Sequence, residues 1–269
     1  MINPLNKVSH KWKLTLQVIP VVAALIALKY IAHIFNLELF SLSPLFGAVI
    51  SATVFLIGFL ITGVISDYKE SEKLPGEMAC SLETFVDDSL VLKANGQNEM
   101  AVSMYTYTND TVSMILDWFH KKTRTAELLA RLSGYSEYFQ KLEPLTQPNF
   151  ILRLKQEQSQ LRRLITRIHT IRETSFNPAA YAIVEIISGI LCIGLIFAKV
   201  EPARESMFFV AFVSFFLVYM IFLIKDFDNP FGYYADDNVT ENISLNPINN
   251  LRDRLANMRQ TFIGQEQAR

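Results

Sequence analysis

"FLIGFLITG", residues 55–63, sits inside residues 45–66, a run of 22 without one charged side chain. At about 1.5 Å of rise per residue, a helix of that length crosses the roughly 30 Å hydrocarbon core of a bilayer. Down such a helix Ala48, Ser51, Phe55, Phe59 and Thr62 recur every three or four residues, so they share one face. Ala48, Ala52, Gly58 and Gly63 are small enough to let another helix come close. The plain expectation is that the two phenylalanines fill the interior of a helix bundle. The sharper one starts from the fact that a single four-helix chain has no room for a water-filled lumen. A pore needs several copies, each lending one helix to a ring, and Phe55 and Phe59 then make stacked apolar constrictions that gate by dewetting.

Three further runs match the first. Residues 14–35, 179–198 and 207–224 are 18 to 22 residues long, in a chain of 269 that is 51% hydrophobic and only 19% charged. That is too apolar for an ordinary soluble domain, and four such runs predict four transmembrane helices. Lys7, Lys11, Lys13, Lys69, Lys73, Arg167, Arg172 and Lys225 flank the spans on one side, Lys199 and Arg204 on the other. The excess of basic residues marks the cytoplasmic side, so both termini and the long middle segment are expected inside. The first run is too long for a cleaved signal and no small-x-small site follows it. The predicted organisation is an N-terminal segment with hairpin 1–2 (1–66), a cytoplasmic helical region (67–177), hairpin 3–4 (178–225) and a cytoplasmic tail (226–269).

The middle region has helical spacing and no alternating β-branched run. Leu74, Met78, Leu82 and Phe85 mark one helix. Met100, Met104, Tyr107, Met114, Leu116 and Phe119 mark a second. Leu154, Leu161 and Ile168, with Leu164 and Ile171, mark a third whose other side carries Arg162, Arg163 and Arg167. Ser43-Pro44 and Asn177-Pro178 read as helix starts, a capping residue followed by proline in the first turn. Turns are expected at Asn95-Gly96 and from Glu143 to Asn149.

Little in the chain suggests catalysis. His10, His33, His120 and His169 lack metal-ligand spacing, and there is neither a glycine-rich phosphate loop nor a recognisable nucleophile motif. The net charge of -1 says nothing about nucleic acid, and no basic, aromatic-interleaved surface argues for it. Cys80 and Cys192 fall in different environments, and a disulfide between them is not expected. Two charges lie inside spans, where each costs at least about 2.5 kcal/mol and so turns to protein or water. Glu185 enters from the inner end of the third run, and its short side chain leaves a buried hydrogen-bonded role or a pathway-facing one open. Lys29 sits nearer the outer end of the first run and is expected to snorkel, with Tyr30 and His33, toward the outer headgroups. The two differ in depth by on the order of 12 Å, which argues against a direct bond between them.

"FLIGFLITG", followed by "DYKESEKLPGEM" at residues 67–78, resembles the neck helix of bestrophins and the helix after it. "DNPFGYYADD" at residues 228–237 resembles the Asn-Pro-Phe-Gly motif and trailing acidic cluster of the same family. The order of two hairpins, a helical cytoplasmic segment and a tail is similar from about residue 11 to residue 251. The compact length and the wording "KDFDNPFGYY" look closer to the prokaryotic and plant-type branch. In a prokaryote that implies the plasma (inner) membrane.

The resemblance implies an all-α homopentameric ion channel whose second span lines the pore. Ser51, Phe55 and Phe59 take the neck positions, with Thr62 on the same stripe. Ser51 departs from the bulky aliphatic usual there, leaving two apolar rings and a polar one. In animal bestrophins the tail motif belongs to a calcium clasp; here Asn229 and Asp237 match it, Asp226 and Asp236 lie close, and Tyr234 replaces an acid. Calcium takes six to eight oxygens, so the loss weakens the site, and no cofactor is required. The family's majority favours chloride and related monovalent anions. A monovalent cation channel of the same fold, or a non-conducting membrane scaffold for a cytoplasmic partner, are the alternatives. A secondary transporter is disfavoured, since no inverted repeat or paired broken helices are seen.

Overall fold

The computed structural model describes residues 10–41, 43–174, 178–228, 230–231 and 243–263. Its elements in chain order are α1 (His10–Ile34), β1 (Phe40–Ser41), α2 (Pro44–Ala94), α3 (Asn98–Phe119), α4 (Thr125–Leu142), α5 (Pro148–Glu173), α6 (Pro178–Phe197), β2 (Ala198–Lys199), α7 (Ala203–Asp228) and α8 (Asn246–Ile263). Among the described residues the regular structure is all helix apart from a two-residue parallel pairing of Phe40 with Ala198 and Ser41 with Lys199. Helices α1, α2, α6 and α7 are long and apolar enough to cross a membrane.

The chain divides into two compact units. The first holds α1, α2 as far as Tyr68, α6 and α7; the second holds α2 from Lys69 on, with α3, α4, α5 and α8. In the first, Ile57, Leu60 and Val64 of α2 pack with Val184, Leu191 and Cys192 of α6 and Leu217 and Ile224 of α7. Helix α1 lies against α7 and α6. Only 22% of the most apolar window of α1, of α2 and of α7 is buried within the chain. Most side chains of those windows are therefore left at least partly open by the rest of the chain.

Ser43 starts α2 as expected: its hydroxyl accepts from Phe46 N at 3.4 Å and its carbonyl from Gly47 N at 3.3 Å. The helix then runs unbroken for 51 residues through Asp67 and Pro75, where the sequence suggested a neck helix and a separate one after it. Lys69, Glu70, Glu72 and Lys73 after Asp67 are good helix formers, and no glycine-rich break divides them from the apolar run. The helix ends where Gly96 takes φ +83°, a conformation that glycine adopts without strain.

In the second unit Leu74, Met78, Leu82 and Phe85 are buried, as are Leu154, Leu161, Leu164 and Ile168 of α5. Of the six markers on α3, Met104, Leu116 and Phe119 are buried, whereas Met100, Tyr107 and Met114 lie only part-way in. Two helices not marked in the sequence complete this core. Helix α4 buries Leu128, Leu132, Tyr135, Phe139 and Leu142, and α8 buries Ile248, Leu251 and Leu255. Tyr135 stacks on Phe85 with ring centroids 4.4 Å apart and donates to Thr108 Oγ1 at 3.0 Å; burial holds its phenol well above the ordinary range. Tyr105 donates its hydroxyl to the carbonyl of Leu255, tying α8 to α3. Cys80 and Cys192 are both free thiols.

At Gly134 of α4 a side chain of α3 comes close to the backbone. A Cβ there would stand 2.0 Å from the Tyr107 hydroxyl and 3.0 Å from its Cζ. That hydroxyl donates to the Arg131 carbonyl at 2.6 Å while the Arg131 guanidinium lies 3.6 Å above the same ring. Gly134→Ala is expected to displace the ring and lower the stability of the folded protein by about 1–3 kcal/mol, read as a fall in melting temperature.

Candidate functional site

The opposite side of α2 from the Ile57, Leu60 and Val64 core belongs to nothing else in the chain. Phe55 is 78% exposed and Phe59 75%. Ala48, Ser51, Ala52, Gly58 and Thr62 are exposed beside them. The phenylalanines therefore do not fill the bundle interior. Helix geometry makes the two faces alternatives, because Ile57 stands about 160° around the helix from Phe55 and Phe59, and only one of the two faces can meet α6 and α7. Gly58 meets nothing within 4 Å, so it is not a point of close approach inside the chain. Gly194 of α6 is one: a Cβ there would stand 2.9 Å from Cε2 of Phe46.

Outward faces also occur on the other spans, and their composition differs. Helix α6 turns out Ile183, Ile186, Ile190 and Ile193, and α7 turns out Phe208, Phe209 and Phe212. Those are continuous apolar surfaces of the kind that lipid solvates. The α2 face instead sets hydroxyls above and below its two rings. Ser51 donates back to the Gly47 carbonyl at 3.0 Å and Thr62 to the Gly58 carbonyl at 2.8 Å, which leaves oxygen lone pairs on the outer face. Polar, small and aromatic groups in one stripe suit a surface that meets water or like copies of itself better than one that meets hydrocarbon alone.

The two charges inside the spans have separate partners. Lys29 is 1% exposed, not extended toward the outer headgroups as expected. Its Nζ donates to Glu38 Oε1 at 2.8 Å and to the Ala198 carbonyl at 2.5 Å. His33 Nδ1 lies 3.2 Å from the same carboxylate oxygen, and Leu39 N donates to the Phe197 carbonyl at 2.9 Å. The sequence showed no loop folding back over Lys29; that loop supplies the acceptor which snorkelling would otherwise have sought. Burial works against charge on Glu38, but its bonds to Lys29 and His33 outweigh that and hold the carboxyl below the ordinary glutamate range. Glu185 pairs with Lys225 of α7 at 2.7 Å, both side chains about half exposed, and it does not meet Lys29.

Of the residues that the resemblance assigns to a calcium clasp, Asp226 is described and buried on the last turn of α7. Asn229, Asp236 and Asp237 lie outside the described residues. Among the described residues no group of three or more histidine, cysteine or acidic side chains is gathered to hold a metal ion.

The arrangement so far is that of a polytopic helical membrane protein with an aromatic and hydroxyl face left open on its second span. Residues 15–232 match the family model of the Bestrophin-like domain, and the chain belongs to that family. The fold is shared with crystal structures of bacterial bestrophin homologues from Klebsiella pneumoniae. One point variant is 17% identical over 90% of this chain and 98% of that one with TM-score 0.76, and another is 18% identical over 90% and 99% with TM-score 0.75. A variant described only as a membrane protein matches at 16% identity and TM-score 0.75, covering 90% of this chain and 98% of that one. No curated protein matches.

Proposed function

We propose that the protein is an ion channel of bestrophin fold, built as a homopentamer in which α2 of each subunit lines a central pore with a neck at Phe55 and Phe59. The observation that carries this reading is the outward stripe of Ser51, Phe55, Phe59 and Thr62 on a helix whose opposite side already packs the chain's own core. Self-association covers that stripe and turns one helix per subunit into a ring. Small monovalent anions, chloride first, are the proposed cargo. The family's majority supports this; Arg162 and Arg163 of the second unit are exposed cations whose hydrogen bonds go to the neutral oxygens of Ser133, Ser159 and Gln160. Both termini and the second unit lie in the cytoplasm in this reading, following the basic residues next to the spans.

Planar-bilayer recording of the purified protein under a potassium chloride gradient tests it. The expected reversal potential follows the chloride Nernst value. A potential following potassium makes the protein a cation channel of the same fold, and silence from an intact oligomer makes it a scaffold. No cofactor enters the mechanism. The current is accordingly expected to be unchanged, within about a factor of two, when calcium is removed with a chelator. A loss of current on chelation would instead place a clasp at Asp226, Asn229, Asp236 and Asp237.

A further inference from the structure

In the second unit the end of α2, the α4–α5 turn and the first turns of α5 enclose an open cleft of about 460 Å3. Its wall is apolar at Val91, Leu92, Leu145 and Phe150, and the cleft holds one cation, Arg153. We propose that it binds a small organic monocarboxylate, the carboxylate on Arg153 and the hydrocarbon body against that wall.

The buried side of Arg153 is already fixed. Its Nη2 donates to Asp88 Oδ1, and its guanidinium carbon lies 5.5 Å from the centre of the Phe150 ring. Yet the arginine side chain is 53% exposed, and among the described residues it donates to that one oxygen alone. A guanidinium presents five N–H donors in a rigid fork, so a second carboxylate can bind the edge that Asp88 leaves open.

Asp88 explains why the arginine is held there. Its side chain is 2% exposed and Oδ2 has no hydrogen-bond partner. Burial raises its carboxyl above the ordinary range, Arg153 opposes that, and Asp87 and Glu157 add to it. The pair is an incompletely satisfied polar centre behind the cleft.

The start of α5 adds the positive end of a helix, although Pro148 carries no N–H and Phe150 N already donates to the Gln147 carbonyl at 2.9 Å. The helix opens at Pro148, and Gln147 before it makes no side-chain capping bond. The positive end of a 26-residue helix is thus left uncapped beside Asn149, which also lines the cleft. A bare halide leaves the apolar wall wet, and a neutral ligand leaves the arginine edge unmatched. A short-chain carboxylate satisfies both, in a cleft within the usual size of small-molecule sites.

Isothermal titration of the full-length protein in lipid nanodiscs, with sodium butyrate as probe and butyramide as its neutral isostere, tests this. Butyrate is expected to bind with a dissociation constant on the order of millimolar, as suits so small a ligand, and butyramide at least about tenfold more weakly. Arg153→Gln is expected to weaken butyrate by at least about tenfold. Because that change also touches Asp88, Gln147→Glu serves as the second variant. An acid before the first turn suits a helix, so it leaves the melting temperature intact while its charge repels the ligand. Absence of butyrate binding to the unaltered protein overturns the proposal. So does equal binding of butyramide, or unchanged affinity in Gln147→Glu. None of these readouts depends on whether the protein conducts.

Discussion

Replacing both Phe55 and Phe59 with alanine is expected to raise single-channel conductance by about tenfold, equivalent to lowering the permeation barrier by ~1.4 kcal/mol. The reasoning starts from exposure. At 78% and 75% exposed, neither ring is held by its own chain, so truncating them opens no cavity in the core formed by Ile57, Leu60 and Val64. The fold and the oligomer should therefore survive, which size-exclusion chromatography with light scattering checks. What changes is the lumen: an apolar ring narrow enough to shed water imposes a barrier that alanine removes. Because the polar ring at Ser51 is expected to oppose ions least, Ser51→Ala should change conductance far less than either phenylalanine. A double alanine variant that conducts like the unaltered protein would put the neck elsewhere. One that no longer assembles would show that the two rings are intersubunit packing groups instead.

The second large effect is expected at Lys29. Lys29→Met removes one partner of a buried pair and leaves Glu38 with its charge and the Ala198 carbonyl without its donor. Breaking such a pair costs about 3–5 kcal/mol, whereas replacing both partners by apolar groups is often near neutral. Thermal melting of the purified protein should thus fall steeply in Lys29→Met, and the companion change Glu38→Leu should recover part of the loss. The same pair predicts a pH dependence. Glu38 has its carboxyl held below the ordinary range when folded, so its contribution is complete above the unfolded value, about pH 4.3, and is lost as pH falls through the folded value. In Glu38→Gln this acid-side loss should vanish from the melting profile. A Lys29→Met protein that melts with the unaltered one would mean that the lysine reaches water or headgroups after all.

Four long apolar runs, the proline-marked start of α2 and the Asn95-Gly96 turn were legible because each is decided locally; Asn177, the cap expected before α6, lies outside the described residues. Hydropathy and backbone preference act over a few residues, and at these places no distant partner overrides them. The buried stripes on α2 and α5 were legible for the same reason, since periodicity alone sorts one helix face from the other. So were α4 and α8 in principle. Leu128, Leu132, Tyr135 and Phe139 recur at helical spacing, and Asn246-Pro247 with Ile248, Leu251 and Leu255 signals a start and a face. A polar composition around each hid them.

Tertiary structure alone decided the rest. That Phe55 and Phe59 share a face follows from their spacing. That this face points away from the chain follows only once α6 and α7 have taken up Ile57 and Leu60, because both faces of α2 are apolar enough to be core. Lys29 looked like a residue that must escape the membrane, since nothing near it in sequence could neutralise it. Its carbonyl partner, Ala198, comes from 169 residues away, brought in by the pairing of β1 with β2. Asp88 and Arg153 are likewise 65 residues apart and ordinary in sequence. Polar groups of this kind acquire their meaning from burial, and burial is a property of the assembled fold.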